Sequence, residues 1–142
     1  MKVSCSQTPS RETILVVDDE LEVLALVMDI LQGDGYTVLG ASDPREALRL
    51  SRMRSEPIHL VLTDITMPFM TGRELAVQLR RMRPGIKVLF MSALTSDAIE
   101  ISGIQIAPGE PYLVKPFTVL HLSSKVRSLL DYRSPFSRPD NR

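Results

Sequence analysis

At 142 residues and 44% apolar content, the chain has room for one domain with a real core and too little for two ordinary ones. Its 17 basic and 17 acidic side chains cancel to a formal net charge of zero, which excludes a global field drawing it to nucleic acid or a membrane surface. No apolar stretch approaches the roughly 18 residues of a membrane span, the N-terminus lacks the apolar core of a signal peptide, and the single cysteine, Cys5, cannot form an internal disulfide. A cytoplasmic protein without membrane insertion or direct nucleic-acid binding is expected, its function held in a local site.

Residues 1–12 carry Ser, Gln, Thr and Pro without periodicity and read as a flexible tail, as do residues 133–142 (RSPFSRPDNR); the folded domain is expected over 13–132. The run ILVV at 14–17 reads as a first strand. Leu24, Val27, Met28 and Leu31 then recur at helical spacing, giving a helix from near Glu20 to Gly33. YTVL at 36–39 reads as a second strand. Asp43, Pro44 and Glu46 supply an N-cap, a proline at the first helical position and an acid three after the cap. LVL at 60–62 is a third strand, followed by a capping box of Thr71 and Glu74 and a helix stopped by Pro84 and Gly85. VLFM at 88–91 is a fourth strand. Between Ser96 and Pro111, β-branched residues, two glycines and two prolines allow only a short or loose helix. YLV at 112–114 is a fifth strand, and Thr118 caps a last helix whose Leu122, Val126 and Leu129 share a face. Five short apolar runs alternating with helices predict an α/β fold with a doubly wound parallel sheet, its strands covered on both faces.

In such a sheet, ligands bind beyond the carboxyl ends of the strands. The first strand ends in Asp18 and Asp19, the third in Asp64, the fourth in Ser92 and the fifth in Lys115 and Pro116. Carboxylates about 4 Å apart repel by roughly 4 kcal/mol at an effective dielectric of about 20, so three of them together call for a cation. Oxygen-only ligands point to Mg2+, beside which a carboxylate can attack a phosphoryl group while a lysine and a hydroxyl contact its oxygens.

ILVVDDE (14–20), LVLTDITMPFMTG (60–72), VLFMSA (88–93) and YLVKPF (112–117), in this order, resemble the receiver domains of two-component response regulators over about residues 13–131. The resemblance implies a flavodoxin-like five-stranded sheet of order 2-1-3-4-5. It makes Asp64 the phosphoacceptor, Asp18 and Asp19 the acidic pair serving Mg2+, and the backbone carbonyl of Thr66 a further ligand. Ser92 and Lys115 would contact the phosphoryl group, Ser92 and Tyr112 would form the switch, and the Lys115-Pro116 peptide would be cis. Thr66 and Leu94 would tune dephosphorylation, which the apolar Leu94 should slow. The implied partners are a sensor histidine kinase or a histidine phosphotransfer protein. APGEP at 107–111 departs from the Gly-Ala-acidic-acidic turn of many receivers and looks like receivers of hybrid sensor kinases. Nothing in residues 132–142 reads as a DNA-binding or enzymatic domain, so output is expected through protein contacts.

Plainer roles compete for each residue. Asp18, Asp19 and Glu20 could simply cap the first helix. Ser92 could be an ordinary strand-end hydroxyl, Tyr112 a half-buried sheet residue and Lys115-Pro116 a turn. Arg80, Arg81 and Arg83 read as a solvated helix end, His59 and His121 as structural. Among whole-protein alternatives, a flavin or nucleotide binder is disfavoured by the acidic first loop, which repels phosphate. An aspartyl-phosphate phosphatase is disfavoured because Thr66 stands where an acid-base aspartate is needed. A receiver that works without phosphorylation is disfavoured by the full set of site residues.

Overall fold

Strand residues alternate between two faces of a sheet, and here both faces are apolar. In the computed structural model, which describes residues 12–93 and 111–132, this pattern divides the core into two layers. Ile14, Val16, Leu60, Leu62, Leu89 and Met91 face one way; Leu15, Val17, Val61, Val88 and Phe90 face the other.

The strands are β1 (Thr13–Val17), β2 (Thr37–Ala41), β3 (Leu60–Asp64), β4 (Lys87–Ser92) and β5 (Tyr112–Val114). All pair in parallel, in the order β2-β1-β3-β4-β5. This is the predicted 2-1-3-4-5 arrangement. Helices α1 (Leu21–Gly33) and α4 (Val119–Asp131) cover the first face through Val27, Leu31, Leu122 and Val126. Helices α2 (Pro44–Met53) and α3 (Gly72–Met82) cover the second through Ala47, Leu48, Leu75 and Leu79. Coverage is incomplete at the two edge strands: in β2, Thr37 is exposed while Val38, Leu39 and Gly40 are only half-buried, and in β5, Val114 is exposed.

The predicted caps form. Asp43 accepts from Arg45 N at 2.7 Å, Thr71 and Glu74 complete a reciprocal capping box, and Thr118 accepts from His121 N at 3.0 Å. At the amino end of the sheet, Arg83 is not a solvated residue. It donates to Ser51 Oγ and to the carbonyls of Ser51, Arg54 and Glu56, satisfying the open C-terminus of α2. Lys87 does the same for α4 through the carbonyls of Leu129, Leu130 and Tyr132. His59 has the structural role expected of it, its Nδ1 accepting from Thr13 N at 2.9 Å. Glu12 joins the folded domain: it pairs with Arg127 at 3.0 Å, and its carbonyl accepts from Thr37 N. No described helix is long and apolar enough to cross a membrane. Cys5, the 96–110 stretch and the segment from 133 onward lie outside the described residues.

Candidate functional site

Parallel register places the strand ends on one rim. Val17 pairs with Thr63, so Asp18 and Asp64 emerge side by side. Ser92 pairs with Val114, and Lys115 N donates to Ser92 O at 2.7 Å, which sets Lys115 one step beyond the fourth strand. The Lys115-Pro116 peptide is cis.

The lysine ammonium occupies the centre of the site. Lys115 Nζ donates to Asp18 Oδ2 at 2.9 Å, Glu20 Oε1 at 3.0 Å and Asp64 Oδ2 at 3.2 Å. Oxygens of these three acids lie within 4.8 Å of one another. Burial differs sharply among them: the Asp18 side chain is 0% exposed, Asp64 13% and Glu20 61%. Asp18 Oδ1 is also committed, accepting from Glu20 N at 2.9 Å.

Burial raises the Asp64 carboxyl above its ordinary value; Lys115 and the Thr66 backbone N–H lower it, and the neighbouring Asp18 charge raises it again. Burial alone would lower the Lys115 ammonium, but the bonds to Asp18 and Glu20 and the charge of Asp64 more than offset that and hold it above the lysine range. A simple ion pair would depress its acid. Asp64 is raised instead because it is largely desolvated and shares one ammonium with two other carboxylates.

The loop after Asp64 is tightly built. Met70 N donates to Pro68 O at 2.9 Å around Phe69, whose φ of 77° is unusual for a bulky residue. The guanidinium of Arg45 lies 3.6 Å from the centroid of the Phe69 ring. Gly72 N donates to Ile65 O at 2.7 Å, and a Cβ on Gly72 would run into the Asp64 carbonyl oxygen. Only glycine permits this approach of α3 to the strand end.

The structure therefore brings Asp18, Asp64 and Lys115 together, with Ser92 buried one residue before Ala93 on the same rim. Tyr112 is half-buried against the α2/α3 layer. Asp19 and Thr66 are exposed, and Asp19 stands outside the cluster of acid oxygens. Leu94 lies outside the described residues. Sequence reasoning missed Glu20 as a partner of Lys115, and Gly72 as the residue that lets α3 close on Asp64.

Residues 14–127 match the response regulator receiver domain. The chain belongs to that family. The mycobacterial transcriptional regulatory protein PrrA (Mycobacterium tuberculosis) is 38% identical over 120 residues, 84% of this chain and 50% of that protein. The alkaline phosphatase synthesis transcriptional regulatory protein PhoP of Bacillus subtilis is 30% identical over 128 residues, covering 90% and 52%. This receiver thus spans about half the length of the curated relatives it matches. Among solved structures, the Thermotoga maritima response regulator TrrA, determined with Mg(2+)-BeF, is similar at a TM-score of 0.68 and 32% identity, covering 83% of this chain and 98% of that one. The receiver domain of the hybrid histidine kinase CckA is similar at 0.69 and 29%, with coverage of 83% and 98%.

Proposed function

We propose that this receiver accepts a phosphoryl group on Asp64, in a reaction that uses Mg2+, and signals through protein contacts. The observation that carries this reading is the seat of Lys115: one ammonium among three carboxylates, one of them wholly buried, marks a pocket that demands positive charge. An all-oxygen donor set with excess negative charge fits a hard divalent cation. Asp18 and Asp64 would hold it from within, with Asp19 and the Thr66 carbonyl on the solvent side. When bound, the metal supplies charge neutralisation for the transferring oxygens.

The protein's own residues do the rest. The Asp64 carboxylate forms the new bond to phosphorus as the donor's bond to phosphorus breaks. Desolvation leaves this carboxylate less stabilised than one in water and so more ready to attack. Lys115, fixed by its backbone bond to Ser92, is within reach of the phosphoryl oxygens, and the Ser92 hydroxyl can donate to one of them. Its movement toward that oxygen would open space for Tyr112 to turn inward, the two-state element of the switch. The protein catalyses only its own phosphorylation and dephosphorylation. Its donor is a sensor histidine kinase or a histidine phosphotransfer protein, met on the cytoplasmic side.

Incubation with acetyl phosphate and Mg2+ should add one phosphate by mass, located on Asp64 and absent from Asp64→Asn. Label surviving in that variant, or uptake unaffected by a chelator, would refute the proposal.

A further inference from the structure

We propose that Arg45 and Phe69 form a latch on the loop after Asp64, keeping the Thr66 backbone beside the phosphoacceptor carboxylate. Phe69 stands at the outer turn of that loop with φ 77°, a left-handed conformation that a bulky residue adopts only at a cost. It is also 70% exposed, so burial does not hold it there. The contact that does is the guanidinium of Arg45, 3.6 Å from the ring centroid.

The guanidinium is itself fixed. Arg45 Nε donates to Asp43 Oδ1 at 3.1 Å and Nη2 to Asp43 Oδ2 at 2.8 Å, a fork of two bonds that sets the plane of the cation. Asp43 is anchored in turn as the N-cap of α2, accepting from Arg45 N at 2.7 Å. On the inner side, the same loop is tied to the site. Ile65 and Met67 are buried in the layer under α2 and α3, and the Thr66 N–H between them bonds the Asp64 carboxylate. The inner contacts leave the turn itself open: Pro68 and Phe69 are exposed, and Met70 is half-buried. Without the cation over its ring, Phe69 gains by leaving the left-handed region. The turn closed by the Met70 N bond to Pro68 O then loosens, and Met67 and Thr66 loosen with it. Arg45 and Phe69 are therefore positioning residues that act through Thr66.

The test is amide exchange of the metal-free full chain by NMR, together with the rate of labelling by acetyl phosphate and Mg2+. Arg45→Met keeps the stem and removes the cation. Phe69→Leu keeps the backbone strain and removes the ring. Each should speed exchange at Thr66 and Met70 about threefold, the scale of one exposed cation–π contact, and slow labelling by a similar factor. Amides within β3 and β4 should not change. Phe69→Tyr, which keeps the ring face, should match the parent in both measurements, and Arg45→Met should add nothing in a Phe69→Leu background. Unchanged exchange at Thr66, faster exchange spread equally over the strands, additive losses in the double variant, or parent-rate labelling despite faster exchange would each overturn the proposal. The labelling arm rests on the phosphoacceptor reading of Asp64. A parent that takes no label would refute that reading, and exchange at Thr66 would still decide the latch.

Discussion

Replacing Lys115 with methionine removes the only positive charge that touches Asp18 in the described site, while keeping most of the apolar stem. Asp18 is fully buried and would retain the Glu20 N–H as its remaining hydrogen bond. Breaking a fully buried ion pair costs about 3–5 kcal/mol because a buried charge is left uncompensated. Here Asp64 keeps the Thr66 N–H and Glu20 faces water, so the expected loss falls at or below the lower end of that range, about 2–3 kcal/mol. For a domain of this length, with about 4 °C of melting midpoint per kcal/mol, the metal-free variant should melt about 8–12 °C below the parent. Two conditions should shrink the gap. Millimolar Mg2+ replaces the missing charge, and acid near pH 3 neutralises Asp64, whose carboxyl is held above its ordinary value. Thermal melts followed by circular dichroism, with and without Mg2+, measure both. An equal drop under all three conditions would mean that Lys115 acts by packing its stem and that its ammonium does not stand in a cation's place.

Asp64→Asn should melt above the parent at pH 7 without Mg2+ and no higher near pH 3. The raised Asp64 carboxyl favours the fold while protonated, below about pH 4, and loses that contribution as pH rises through its raised value, a loss that a permanently neutral amide avoids. A lower midpoint at pH 7 would show the Lys115 bond outweighing burial. Gly72→Ala should cost about 2 kcal/mol or more in urea titration and slow labelling by acetyl phosphate, since the new methyl meets the backbone of Asp64 and Ile65. Parent-like stability and rate would refute the close approach. Arg83→Met should lose about 2 kcal/mol by leaving carbonyls at the end of α2 unpaired, with phosphoryl uptake unchanged. Leu94→Glu should hasten loss of the phosphoryl group about tenfold, or about 1.4 kcal/mol of barrier, by adding a side chain able to orient water; unchanged decay would refute that role.

Features whose cause is local were legible in the sequence. Asp43 caps α2 and Thr71 with Glu74 brackets α3 because both partners lie within three residues. The strand ends fall on one rim because a parallel sheet has only one carboxyl edge, so the sequence alone puts Asp18, Asp19, Asp64, Ser92 and Lys115 there. What escaped depends on how far a side chain reaches. Glu20 and Lys115 are 95 residues apart, and nothing in DDE tells which acid turns to the lysine and which faces water. In the fold Glu20 bonds Lys115, while Asp19 is exposed outside the cluster of acid oxygens. Arg83 looked like part of a solvated Arg cluster, yet it spans 32 residues to close the end of α2. Gly72 was visible as part of a capping box, while its need to be glycine comes from Asp64 across the loop.

The two ends of the sheet use similar residues to opposite effect. At the amino edge, Lys87 and Arg83 meet the carbonyls of helix C-termini, where the partial negative charge is fixed in the backbone and matched by each cation. Neither side chain gains by leaving, so that edge is a static clamp. At the carboxyl edge, three carboxylates face one ammonium, with Asp18 wholly buried, Asp64 largely buried and Glu20 exposed. Burial makes that imbalance costly, and no further cation contacts those three carboxylates among the described residues. The edge therefore holds a standing preference for added positive charge, with Lys115 bonded to all three carboxylates. A divalent cation held by these carboxylates would meet that preference, and Lys115 beside Asp64 would then be placed to contact the oxygens of a phosphoryl group accepted there.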